Sequence, residues 1–197
     1  MDWLDLSHPI EPSMPVYPGT EPPTFHYPCS IEENGFREMK IDLYTHTGTH
    51  LDAPAHIFKE GISLDALCPD YFVGSGLVFD CRSLTLDGEK ICLKHFLPYE
   101  KELDGKDFLL FNLGWSSKWG REEYFSRYPV ISERLARLLA ETSLKGVGVD
   151  AISVDGVMDQ NLPIHRILLG SGKVIIENLA NLDQLTESPF ILYCFPL

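Results

Sequence analysis

His46-Thr47-Gly48-Thr49-His50-Leu51-Asp52-Ala53-Pro54-Ala55-His56 gathers three of the chain's seven histidines into eleven residues, with one carboxylate, one glycine and one proline among them. A lone histidine is most often a hydrogen-bonded core or surface residue, but three so close together need a shared explanation. His46, Gly48, His50 and Asp52 have the same parity, so on a strand their side chains face one way. In a straight strand, His46 and His50 are about 13 Å apart at about 3.3 Å per residue, near the limit for two imidazoles holding one ion at about 2 Å. Gly48 can reach positive φ, and Thr47 and Thr49 disfavour a helical H-x-x-x-H pair, so the spacing predicts a sharp turn or bulge at Gly48. Nitrogen and carboxylate ligands without thiolate favour an open catalytic site over a closed structural one. His46, His50 and Asp52 are therefore candidate metal ligands; the alternative is a strand whose histidines cap neighbouring loops. Pro54 separates His56 from this run, and an imidazole with a reference pKa of about 6.5 beside a metal suits general acid/base work. The competing reading of His56 is a surface histidine preceding the apolar pair Ile57-Phe58.

Outward from this stretch, the sequence alternates strand and helix signals. Phe72–Asp80 reads as a buried strand whose glycines allow close packing or a bulge. Leu93–Leu103 has apolar residues at helical spacing, and Asp107–Leu113 is an apolar run bounded by Gly105 and Gly114, as in a central strand. Ser132 caps the clearest helix, Arg134–Glu141, and Gly146–Asp150 follows as a strand. Leu162–Leu169 predicts a short helix starting near Pro163, then strands at Lys173–Ile176 and Phe190–Phe195. The first thirty residues hold seven prolines interleaved with Trp3, Leu4, Ile10, Val16, Tyr17, Phe25 and Tyr27. Proline forbids helix and the apolar residues argue against disorder, which predicts extended segments laid over a core, turning at Tyr17-Pro18-Gly19. The class is α/β with an extra β layer at the amino end.

Composition narrows the function. A chain of 197 residues that is 44% hydrophobic and 11% aromatic can bury one sizeable core, so residues 1–197 are read as a single domain. A net charge of -13 disfavours nucleic acid, whose phosphates need a surplus of Lys and Arg, and scattered basic residues argue equally against anionic membranes. No apolar run approaches the roughly 18 residues of a membrane span, and the acidic start Met1-Asp2-Trp3-Leu4-Asp5 is unlike a signal peptide, so a cytoplasmic address is expected. The five cysteines are odd in number and never in a C-x-x-C pair; they are read as reduced, mostly buried small hydrophobes.

HTGTHLDAPAH resembles the H-x-G-T-H-x-D-x-P-x-H signature of the cyclase family, which includes bacterial kynurenine formamidases and isatin-type hydrolases. Further stretches are similar to family landmarks: Asp5-Leu-Ser-His-Pro-Ile10, Met14-Pro-Val-Tyr-Pro-Gly19, Gly114-Trp115, Gly148-Val-Asp-Ala-Ile-Ser-Val-Asp155, Leu162-Pro-Ile-His165 and Ile176-Glu-Asn-Leu-Ala-Asn-Leu-Asp183. The resemblance implies a swivelling β/β/α domain and a hydrolase dependent on a divalent metal, zinc or manganese, held at His46, His50 and Asp52. It implies a second ion in some members, with Asp52 bridging and His165 and Glu177 completing that site. Alone, His165 reads as a helix histidine and Glu177 as a strand-end charge. His56 takes the general acid/base role by resemblance as well.

The implied chemistry is cleavage of the C–N bond of an aryl formamide or cyclic amide: a metal lowers the pKa of water from 15.7 towards about 7 and polarises the carbonyl, while a histidine carries the proton. A lactone or other carbonyl hydrolase or cyclase at the same metal, and a non-catalytic metal-binding protein, are the alternatives. Tyr17 matches a position near the substrate pocket of relatives and is either a substrate contact or a turn aromatic packed on prolines. Dedicated kynurenine formamidases tend to carry Trp there, and relatives usually continue past the segment matching Phe195-Pro196-Leu197 with a short tail. The partners expected are a small-molecule substrate and a second or further copies of the chain, as homodimer or homotetramer.

Overall fold

The computed structural model describes residues 3–84, 90–185 and 190–197. Its strands are β1 (Thr24–Cys29), β2 (Glu38–Asp42), β3 (His50–Asp52), β4 (Val73–Asp80), β5 (Phe108–Asn112), β6 (Gly146–Val149), β7 (Val174–Glu177) and β8 (Phe190–Tyr193). Its α-helical segments are α1 (Ile31–Asn34), α2 (Leu93–Phe96), α3 (Glu133–Ala140) and α4 (Pro163–Gly170). Six strands form one mixed sheet in the order β3-β7-β6-β5-β4-β8, and β1 and β2 pair in a separate two-stranded antiparallel sheet. This is the α/β class with a small amino-terminal β layer that the sequence led us to expect.

The central strands β4, β5, β6 and β7 run parallel, and β3 and β8 close the sheet's two edges antiparallel. A parallel sheet covered on both faces needs strands that are apolar throughout, and Phe108-Leu-Leu-Phe-Asn112 supplies this. Leu109 and Phe111 belong to the larger core, with Leu77, Phe79, Val147, Val149 and Ile175, against Leu135, Ala136 and Leu139 of α3 and Leu168 and Leu169 of α4. Phe108 and Leu110 join the smaller core on the opposite face, with Val174, Ile176, Leu179 and Leu192. Each such side chain stabilises the fold by about 1.5–3 kcal/mol relative to an exposed one. Gly76 serves close packing, since a Cβ there would collide with the Phe190 ring across the β4–β8 pair.

Strand ends differ from the sequence reading by a residue or so, but the Leu93–Leu103 helix does not form as expected. The α-helix stops at Phe96 and continues as a 3-10 segment over Leu97–Leu103, because Pro98 lacks the amide that an α-turn requires. Only Cys81 of the five free cysteines is buried; Cys68 is exposed, so that expectation was too strong. The amino-terminal segment divides. Met14 is buried and a turn closes from Thr20 N to Tyr17 O with Gly19 at φ 95°, whereas the β1–β2 pair lies outside the core with Tyr27, Met39 and Ile41 exposed.

Candidate metal centre

Thr45–Thr49 turns before β3 begins at His50, and Gly48 takes φ 68°, the left-handed conformation that bends the chain between His46 and His50. The bend brings His46 Nδ1 to 2.5 Å from Asp52 Oδ1, with His50 Nε2 3.4 Å from the same oxygen. The antiparallel register of β3 on β7 sets His50 directly opposite Glu177, leaving His50 Nε2 3.8 Å from Glu177 Oε2. On α4, His165 points its Nε2 at the other oxygen of Asp52, 3.4 Å away, and at Glu177 Oε1, 3.3 Å away. Four residues from a turn, two strands and a helix, His46, His50, Glu177 and His165, thus gather around the buried carboxylate of Asp52. Glu177 ends β7 and the Ala151–Asp155 loop follows β6, at the carboxyl edge where open α/β sheets hold their ligands.

His56 stands at the mouth of this cluster and is exposed, its ring centroid 4.0 Å from that of His46 and 5.8 Å from that of His165. Two donor sets lie within 4.8 Å of mutual reach, His46 with Asp52 and His56, and His50 with Asp52 and Glu177. Tyr17 is close enough for its phenol to feel Glu177, His165 and Asp155, but its hydroxyl donates to Val157 O at 2.9 Å, so the ring face is what it can offer a substrate.

The electrostatics call for a cation. Burial opposes charge on His50, yet the contact with Asp52 and the charges of Asp52 and Glu177 prevail and push its pKa up to about 9. Burial opposes charge on His165 likewise, and Asp155, Asp52 and Glu177 overcome it, pushing the pKa up to about 12. Against the effect of its own burial, Asp52 is held well below the usual carboxylate range by His165, His46 and His50. Burial lowers the pKa of His56, Asp52 opposing and the neighbouring histidines adding to the fall, so that this imidazole is neutral near pH 7. Asp52 Oδ1, Asp52 Oδ2 and His50 Nε2 are buried and receive no well-aligned hydrogen bond. Buried polar atoms without partners are costly, and a nitrogen-and-carboxylate set of this kind suits a divalent ion.

Sequence reading did not single out the residues that hold these side chains in place. Asp155 accepts from Ile164 N at 2.9 Å and His165 N at 3.0 Å, capping α4, and from His165 Nδ1 at 2.8 Å, which leaves Nε2 to face the cluster. Asp150 accepts from Leu113 N and Trp115 N at 2.8 and 2.9 Å and from Ser116 N at 3.3 Å, fixing the loop after β5. The available signal was a pair of acids set in the apolar run Val149-Asp-Ala-Ile-Ser-Val-Asp155, where burial demands donors.

Comparison with known proteins identifies the family and the fold's relatives. Residues 4–156 match the model of the Cyclase family. The kynurenine formamidase of Bacillus cereus is 32% identical over 197 residues, covering 100% of this chain and 90% of its own length. Isatin hydrolase A from Labrenzia aggregata, solved with benzyl benzoate, is 26% identical and superposes with a TM-score of 0.85 over 98% of this chain and 86% of that one. A Bacillus stearothermophilus protein described as a predicted metal-dependent hydrolase is 27% identical, with a TM-score of 0.71 over 95% of this chain and 85% of that one.

Proposed function

The chain belongs to the Cyclase family, and from that premise we propose that it is a metal-dependent hydrolase cleaving the C–N bond of an aryl formamide or cyclic amide. The observation that carries the proposal is Asp52, a carboxylate only 1% exposed whose two oxygens meet different donors. His46 and His50 face Oδ1, and His165, itself beside Glu177, faces Oδ2. His46, His50 and Asp52 would hold one ion, and Asp52, His165 and Glu177 a second. Zinc suits the nitrogen-rich set, and manganese is the alternative. When bound, a divalent ion lowers the pKa of water towards about 7 and polarises a carbonyl.

His56 accepts the proton of the water whose oxygen bonds to the carbonyl carbon, and returns it to the departing nitrogen as the C–N bond breaks. Its exposure at the mouth and its lowered pKa suit it to start the cycle as a base. Tyr17 offers an aromatic face beside the cluster. The same site acting on a lactone is the second reading, which Tyr17 permits, since it matches a position where dedicated kynurenine formamidases tend to carry Trp. A metal-binding protein without turnover would leave His56 without a task.

We further assign residues 1–197 to one domain working as a homodimer or homotetramer on a small molecule. Tyr27, Phe36, Met39, Ile41, Leu43 and Tyr44 are exposed on and around the β1–β2 hairpin, and a two-stranded sheet is marginal until something covers it. No helix among the described residues is long and apolar enough to cross a membrane, and the five free cysteines accord with a reducing, cytoplasmic compartment.

Hydrolysis assays of the zinc- and manganese-loaded protein on N-formylkynurenine, isatin and simple lactones test this. Turnover of the formamide or cyclic amide is expected. Turnover of lactones alone favours the second reading, and inertness towards all three contradicts an enzyme of this kind.

A further inference from the structure

Asn178 follows Glu177 directly, is 1% exposed and adopts φ 57°, a left-handed conformation that asparagine tolerates better than most side chains. Each of its four polar groups is engaged. Its backbone amide donates to Ala151 O at 2.9 Å and its carbonyl accepts from the Thr49 hydroxyl at 2.5 Å. Its side-chain Nδ2 donates to Gly48 O at 2.8 Å, and its Oδ1 accepts from the Tyr124 hydroxyl at 2.7 Å. The amide's orientation follows from its neighbours. Gly48 O can only accept, so it must meet the NH2 end. Burial pushes the Tyr124 phenol far up, so this hydroxyl stays a donor.

Gly48 O also accepts from His50 Nδ1 at 2.8 Å. That bond fixes the ring of His50 and commits its Nδ1, so that Nε2 is the nitrogen presented to Asp52 and Glu177. The position of Gly48 O therefore sets the aim of His50. Gly48 cannot hold that position itself, since the residue chosen for freedom at φ 68° has no side chain with which to anchor the turn.

We propose that Asn178 is a positioning residue which, oriented by Tyr124, clamps the Gly48 turn and so aims His50 Nε2 into the metal site. The clamp joins the two ligand-bearing segments, the Gly48 turn and the end of β7, to the 3-10 segment Glu122–Phe125 that carries Tyr124. The consequence for metal binding rests on the function proposed above; the clamp itself does not.

Asn178→Gly isolates the side chain, because glycine accepts positive φ without strain. Two readouts apply. In the metal-free protein, amide hydrogen exchange over residues 45–50 is expected to accelerate in Asn178→Gly and in Tyr124→Phe, with α3 unchanged. In cobalt(II) and zinc titrations, Asn178→Gly is expected to bind about 10–100-fold more weakly with an altered cobalt absorption spectrum. The two substitutions are expected to be non-additive, since they break one chain of bonds. Unchanged exchange over residues 45–50 in Asn178→Gly overturns the clamp, whatever the titrations give. Faster exchange with metal affinity within about twofold of wild type overturns the aiming of His50. A wild-type protein that binds neither metal, yet loses protection on substitution, refutes the proposed function and leaves the clamp standing.

Discussion

His165 donates its Nδ1 proton to Asp155 Oδ2 across 2.8 Å, and the same carboxylate caps the helix on which that histidine rides. One side chain thus sets both the position of the α4 amino terminus and the nitrogen that His165 turns towards Asp52. Asp155→Asn keeps the volume but offers one acceptor oxygen where three donors compete. Metal affinity is expected to fall about 10–100-fold with the fold retained, measured by competition with a chromogenic chelator. Affinity equal to wild type would show that Asp155 does no more than cap the helix.

His46 and His56 lie side by side but have separate tasks in this account. His46→Ala is expected to lower the metal content of the protein, because it removes a nitrogen 2.5 Å from Asp52 Oδ1. His56→Ala is expected to keep its metal and lose about 10²–10⁴-fold in turnover, the range for a lost general acid/base. Metal analysis and rates on both variants separate the roles. If His56→Ala loses metal as His46→Ala does, His56 is a ligand, an arrangement its reach to His46 and Asp52 allows.

Asp150 is a structural counterpart. Its carboxylate is fully buried and takes bonds from three backbone amides of the loop after β5. Asp150→Ala strands those donors, and at about 1–3 kcal/mol for each buried unsatisfied group a loss of roughly 3 kcal/mol or more is expected in urea unfolding. A loss under about 0.5 kcal/mol would contradict the anchoring role.

His8 stacks on Trp119 with ring centroids 3.8 Å apart and planes 4° from parallel, and burial lowers its pKa from 6.5 to about 4. The unfolded chain therefore takes up this proton at higher pH than the folded one. The stability contribution is complete above pH 6.5 and is lost as pH falls from 6.5 towards 4. Wild type is expected to lose stability across that window relative to His8→Phe, and an NMR titration should find His8 still neutral at pH 5. A midpoint near 6.5 would contradict the half-buried stack.

The parts of the molecule legible in the sequence were those fixed by short-range pattern. β5 showed itself because a parallel strand covered on both faces is apolar throughout, and α3 because Ser132 caps it, accepting from Leu135 N at 3.4 Å. Gly48 between two histidines of matching parity announced the bend. Pro98 was a local signal underweighted, and it turned an expected helix into a 3-10 segment. His165 and Glu177 were reached only through family resemblance, because what brings them to Asp52 is the packing of α4 and the register of β7 on β3. Asp155 and Asn178 were missed for the same reason: each acts through hydrogen bonds to residues that the fold, not the sequence, sets beside it.

The measurement that bears most directly on the central claim is the rate of formamide or cyclic-amide hydrolysis before chelation, after chelation and after metal is restored. The account predicts activity that disappears when a chelator strips the protein and returns when zinc or manganese is added back. Full activity in a protein verified free of metal would contradict it.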